Sequence, residues 1–227
     1  TMSQTVLSSI ILFLLLATPC AGQNENRGAE GSHERVVYSS YRPAGWDIYL
    51  FEAPGSEPVR LTDHPALDYS SAFSSDGRWV VFTSERDRNP SLYVLDREHE
   101  AAPRLLVRSE AMQDQATLSP DGRWIAFVSW TNRGGHIYRI RANGRGGAER
   151  LTEEVGFYTD PVFTPDGEQI VALRGSNHAR MNQFFDNNRA PAMDLIRLPS
   201  DGGAATLVAH ANALGGPHFS SDPGRVF

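Results

Sequence analysis

Three segments of this chain are variants of one phrase. Residues 71–82 (SAFSSDGRWVVF), 116–127 (ATLSPDGRWIAF) and 161–172 (PVFTPDGEQIVA) each place a Ser/Thr-Pro/Ser-Asp-Gly turn ahead of an apolar run. Asp76 to Asp121 is 45 residues, and Asp121 to Asp166 is 45 again. A fixed period of this size means stacked copies of one small unit, and for strand-rich units it means propeller blades.

The turn has a physical reading. In Ser119-Pro120-Asp121-Gly122, Pro presets φ at the second position of a type I turn, Asp suits the third, and Gly takes the fourth, where φ is positive. A three-residue hairpin with a bulge is the expected form. Asp76, Gly77, Asp121, Gly122, Asp166 and Gly167 are therefore structural turn residues, because the same pair recurs wherever the turn recurs.

The strand after each turn is almost wholly apolar (79–82, 124–128, 170–173). Such runs suit strands covered on both faces, as when one blade lies between two others. Trp79 and Trp124 occupy one repeat position and are read as inter-blade packing residues. Second strands follow at 91–95, 136–140 and 193–198, and short outer strands at 104–107, 149–152 and 206–208. Four strands per unit is the number in a propeller blade.

The first unit begins at Arg35 with strands at 35–40, 47–50 and 59–62, and no Asp-Gly strand precedes it. Residues 217–227 open a fifth unit. The expected fold class is all-β: a β-propeller of four-stranded antiparallel blades, an incomplete N-terminal part of a larger ring. A ring that does not close exposes unpaired edges and apolar faces.

Upstream of the repeats, residues 6–17 (VLSSIILFLLLA) are apolar but too few for a membrane helix, which needs roughly 20. They fit a secretory h-region, with Cys20 and Gly22 supplying the small residues of a cleavage site, although no basic residue precedes the run. The domain reading is a signal peptide over 1–22, a flexible leader over 23–33 and the propeller over 34–227. The product is exported, to the periplasm or beyond, with no membrane span after signal removal. Cys20 is the single cysteine, so the mature domain forms no internal disulfide.

Charge removes some functions. The net charge of -6 argues against nucleic acid as a partner, since phosphate neutralisation needs a basic face. Every one of the 21 basic residues is Arg, which excludes Schiff-base chemistry and a P-loop lysine. There is no Gly-x-Ser-x-Gly elbow, no His-x-His and no His-Glu-x-x-His. No catalytic residue, metal ligand or cofactor is expected in this stretch.

One segment breaks the period. Asp166 to Asp222 is 56 residues, and the additional length falls near 176–192 (SNHARMNQFFDNNRAPA). Insertions in repeats map to loops on one face, often the binding face. Phe184 and Phe185 are read as anchors for a partner, with Arg180 and Arg189 as polar contacts.

The Ser-Pro-Asp-Gly turn, the apolar strand after it, the Ile-Tyr strand and the Arg-Leu-Thr strand resemble the TolB-like propeller repeat over residues 35–227. Leu118, Ser75 and Pro223 depart from it, standing where Phe, Pro and Gly recur. The resemblance implies a six-bladed envelope protein that binds partners, or a propeller ahead of a prolyl-oligopeptidase-like serine peptidase, or one ahead of a metal-dependent amidohydrolase. Residues 158–167, 173–176 and 215–219 are most similar to the amidohydrolase-fused group. The partner implied is a downstream catalytic domain or an envelope protein.

Overall fold

The computed structural model describes residues 35–42, 45–99, 101–176, 192–212, 215–219 and 224–227. Among these described residues, fifteen strands form four antiparallel sheets. Blade I has three strands: β1 (Val36–Arg42), β2 (Gly45–Phe51) and β3 (Val59–Arg60). Blade II is β4 (Asp68–Phe73), β5 (Trp79–Ser84), β6 (Ser91–Asp96) and β7 (Arg104–Leu105). Blade III is β8 (Met112–Leu118), β9 (Trp124–Thr131), β10 (Gly134–Arg141) and β11 (Glu149–Arg150). Blade IV is β12 (Phe157–Phe163), β13 (Gln169–Gly175), β14 (Ala192–Pro199) and β15 (Thr206–Asn212).

Every blade is a meander, each strand pairing with the next in sequence. The expected all-β architecture of four-stranded blades is the one observed, with open sheets as in an incomplete propeller. Beyond β15, Phe219 bridges Val226, and the backbones of His218 and Phe227 exchange two hydrogen bonds of 2.9 Å.

The core explains the apolar runs. Successive side chains of a strand point to opposite faces. Val80 and Phe82 on β5 join Val37, Ile48 and Leu50 between blades I and II. Their neighbour Val81 turns the other way, into a cluster with Ile125 and Phe127 between blades II and III. On β9, Ala126, Val128 and Trp130 face blade IV instead. β5 and β9 thus each serve two interfaces, so both of their alternating positions are apolar. Trp79 packs at the II–III interface and Trp124 at the III–IV interface.

The three turns repeat one hydrogen-bond pattern. The Gly122 amide donates to the Ser119 carbonyl at 2.8 Å, and Gly122 takes φ 67°. The Ser119 hydroxyl donates to Asp121 Oδ1 at 2.6 Å and accepts the Trp124 amide at 2.9 Å. Asp121 Oδ1 also accepts the Arg123 amide at 3.0 Å. The loop is one residue longer than the hairpin expected from sequence: four residues separate Ser119 from its partner Trp124. The Ser hydroxyl takes the amide that the carbonyl, occupied by Gly122, leaves over.

These bonds act on the Asp carboxyls. At Asp121 burial pushes the pKa up, but the Ser119 hydroxyl and the Arg123 amide and guanidinium outweigh it and leave it lowered; the Asp76 carboxyl is lowered in the same way. The Asp166 carboxyl is lowered chiefly by the Thr164 hydroxyl. A carboxyl depressed in the fold adds stability above its unfolded pKa and loses it as pH falls through the folded one. Asp121→Ala is therefore expected to cost about 1 kcal/mol at pH 7. Urea midpoints of the two proteins should converge as pH drops from about 4 toward 2.

The outer strands differ from their expected lengths. β3, β7 and β11 are each two residues long, and after them only the Leu61, Leu106 and Leu151 amides still bond the neighbouring strand, at the Ile48, Leu92 and Ile137 carbonyls. The Thr62 and Thr152 hydroxyls then accept the Ile48 and Ile137 amides at 3.0 and 3.2 Å, where a longer strand would offer a carbonyl. β15 is longer than expected and extends to Asn212.

Candidate interaction face

Strand polarity gives each blade two ends. The Asp-Gly turns lie at one end. The Arg35 guanidinium, at the start of β1, reaches the Asp76 carbonyl there, so the β1–β2 hairpin lies at the opposite end. Leu67, Met112 and Val155 lie at that opposite end as well. The Glu85 amide bonds the Leu67 carbonyl at 3.0 Å, the Gln113 amide bonds Pro90 at 2.9 Å, and Gly156 bridges Gly135 beside Val155.

This end gathers exposed apolar side chains. Tyr41 is 69% exposed and Trp46 is 40% exposed, and they meet edge to face at 6.4 Å. Leu67, Met112 and Val155 are exposed with them. A concentration of large apolar groups on one end, within a polar surround, is the mark of a docking surface.

The segment carrying Arg180, Phe184, Phe185 and Arg189 lies outside the described residues. It joins β13 to β14, so both its flanks, Ser176 and Ala192, belong to this same end. A cleft of about 420 Å³ opens between those flanks, lined by Glu154, Val155, Arg174, Met193, Asp194 and His210 among others. Arg174 pairs with Glu154 at 3.1 Å and with Asp194 at 3.4 Å. His210 Nδ1 lies 2.7 Å from Asp194 Oδ1, and this bond, with Arg174, holds the Asp194 carboxyl below its ordinary range.

The inner strands carry a feature that residue types do not announce. Ser70, Gln115 and Asp160 have φ of 49°, 53° and 52°, and each sits in a β-bulge of β4, β8 or β12. They are spaced by 45 residues. Bulges kink a strand, and they cluster at rims and binding sites, where they re-aim side chains. Gln115 clasps Asp160 across the blade boundary: its amide nitrogen donates to Asp160 Oδ1 at 3.2 Å, and its oxygen accepts the Asp160 amide at 3.1 Å. Burial raises the Asp160 carboxyl, the Thr159 hydrogen bond lowers it, and the Asp114 charge adds to the rise. Gly216 lies against it; a Cβ there would fall 2.7 Å from Asp160 Cβ. The period, rather than the residues, is the sequence signal that would have found these positions.

At the Asp-Gly end, Asp96, Glu98 and His99 come together. Arg78 already supplies the positive charge, 2.9 Å from Asp96 and 2.7 Å from Glu98. Its hydrogen bonds hold the Asp96 carboxyl at about 2.

No family model matches the chain. A Tol-Pal system protein TolB from Desulfosudis oleivorans is 37% identical over 68 residues, which is 30% of this chain and 16% of that protein. A solved structure assigned to TolB of Agrobacterium tumefaciens superposes with a TM-score of 0.64 at 25% identity, covering 78% of this chain and 61% of that one. A puromycin-hydrolysing peptidase of Mycobacterium tuberculosis gives a TM-score of 0.60 at 18% identity, over 80% of this chain and 31% of that one. The chain thus matches a small part of the curated relative and under two thirds of the solved TolB-like structure. The fold is a TolB-like β-propeller.

Proposed function

We propose that this chain is an exported interaction module, the propeller that docks against a metal-dependent amidohydrolase domain. The observation that carries the docking reading is the gathering of Tyr41, Trp46, Leu67, Met112 and Val155 at the end where the period is broken. The chemistry then belongs to the partner. The propeller orients that domain and shapes access to it. Export is supported by the apolar run at 6–17 and by the TolB likeness. The amidohydrolase assignment rests on the resemblance of residues 158–167, 173–176 and 215–219. A TolB-type module that binds an envelope protein is the second reading, and the identity to TolB over 68 residues favours it.

Two measurements test this. The reading frame downstream of the Phe227 codon should enter an α/β barrel that opens on His-x-His. A frame that ends after two further blades supports the TolB-type reading, and a Gly-x-Ser-x-Gly supports a peptidase. In the full-length protein, a photocrosslinker at Trp46 or Val155 should capture the catalytic domain at least tenfold more efficiently than one at Ser75 or Arg123. Equal capture from both ends would end the docking proposal.

A further inference from the structure

The Asp-Gly end of blade III breaks the charge pattern of its neighbour. Trp79 and Trp124 hold one repeat position, and the residue opposite each on the next strand is Asp96 in blade II and Arg141 in blade III. In blade II, Arg78 binds Asp96 and Glu98. In blade III that cross-strand acid is gone. Arg123 folds back onto Asp121 of its own turn at 2.6 Å. Arg141 lies over the Trp124 ring at 4.7 Å, and Arg139 lies over the same ring at 4.2 Å. Arg139 also pairs with Glu149 at 2.8 Å. Arg141 has no ion pair among the described residues, and neither have Arg104 and Arg145 beside it. The Arg104 guanidinium donates to the Ala142 carbonyl at 3.3 Å and rests against Gly144, where a Cβ would strike it. Arg145 follows in the same turn, its amide bonded to Asn143 Oδ1 at 3.0 Å. Arg104, Arg141 and Arg145 are all exposed.

We infer that this end of blade III is a docking site for an acidic segment of a protein partner. A guanidinium laid flat on an aromatic ring keeps its N–H edges free, and those edges match a carboxylate two bonds at a time. The surround limits the size of the occupant. Blade II presents Asp76, Asp96 and Glu98 at this end, and blade IV presents Asp166, Glu168 and Asp201. The unpaired positive charge is therefore confined to one blade between two acidic ones, in a chain of net charge -6. A bilayer surface or a long polyanion would press onto those carboxyls too, and like charges brought together across an interface cost affinity. A short acidic stretch fits between them. The site lies at the other end of the blades from the apolar docking face and does not depend on that proposal.

Fluorescence anisotropy with the full chain and a fluorescein-labelled hexaglutamate peptide tests this. The peptide should bind, and raising salt from about 50 to about 300 mM should weaken it several-fold, because exposed charges are screened. A hexaglutamine peptide should not bind. Arg141→Asp installs the residue that blade II carries at this position, so the fold accommodates it, and it should weaken binding roughly tenfold. Arg145→Asp, in an exposed turn, is a second variant with the same expected loss. Arg133→Asp makes the same change of net charge in the β9–β10 hairpin, at the opposite end, and should leave binding within about twofold. Absence of binding at about 1 mM hexaglutamate, or an equal loss from Arg133→Asp and Arg141→Asp, would overturn the inference. So would Arg141-dependent binding of phosphatidylglycerol vesicles by a chain that ignores the peptide, which would make the patch a membrane contact.

Discussion

Phe127→Ala is expected to destabilise the protein by about 3–5 kcal/mol, the range for removing a buried aromatic ring. Phe127 is 1% exposed, stacks on Tyr138 at 5.7 Å and lies in the cluster joining blades II and III. Its neighbours come from two sheets that pack against each other through side chains, with a backbone bond from the Gln113 amide to the Pro90 carbonyl at one end of the interface. In a repeat array, stability is a sum of unit terms and nearest-neighbour interface terms. The loss should therefore be local. Amide exchange should accelerate in β5, β6, β8 and β9 before it does in β13 and β14. The check is a urea titration read together with exchange mass spectrometry. Uniform acceleration in all four blades would show that the array melts as one unit and that its interfaces are not separable.

Asp68→Ala should cost a similar amount by a different route. Asp68 is fully buried at the head of β4, and its Oδ2 accepts a 2.7 Å hydrogen bond from Arg86 Nη2. The Arg86 side chain is 14% exposed, and its guanidinium rests on Phe82 and Tyr93 at 5.6 and 5.1 Å. Removing one partner of such a pair strands the other charge, at about 3–5 kcal/mol. Replacing both with apolar groups avoids that penalty, so Asp68→Ala combined with Arg86→Met should recover most of the loss. Arg86 anchors the link from β5 to β6, and that link belongs to the interaction face. The single variant should therefore also weaken partner capture from Trp46, and the double variant should restore it in part. Thermal melts of the single and double variants decide this; a double variant no more stable than Asp68→Ala would contradict the account.

The two substitutions differ in how far the sequence announces them. Phe127 is visible there, because it falls in a 45-residue repeat at the position of Phe82, inside a run that alternation alone cannot explain. Two-sided burial was the physical meaning of that run, and the two clusters confirm it. The Asp68–Arg86 pair is invisible: the residues are 18 apart, match no local pattern and meet because β4 and β5 pair in register. The bulges at Ser70, Gln115 and Asp160 were equally hidden, since the backbone repeats there while the side chains do not. Outer-strand lengths escaped for a related reason. A Thr hydroxyl replaces a backbone acceptor at 62 and 152, and nothing in Arg-Leu-Thr marks where pairing stops. The apolar end was not legible in the sequence: Tyr41, Trp46, Leu67, Met112 and Val155 look like ordinary strand and loop residues until the topology places them at one end.

The account depends on successive 45-residue units lying side by side as radial blades. Spin labels at three equivalent surface positions, 78, 123 and 168, measure this directly by pulsed electron resonance. Radial stacking predicts equal 78–123 and 123–168 distances, and a 78–168 distance shorter than their sum because the blades fan about an axis. Unequal neighbour distances, or a 78–168 distance equal to the sum as in a straight stack, would contradict it.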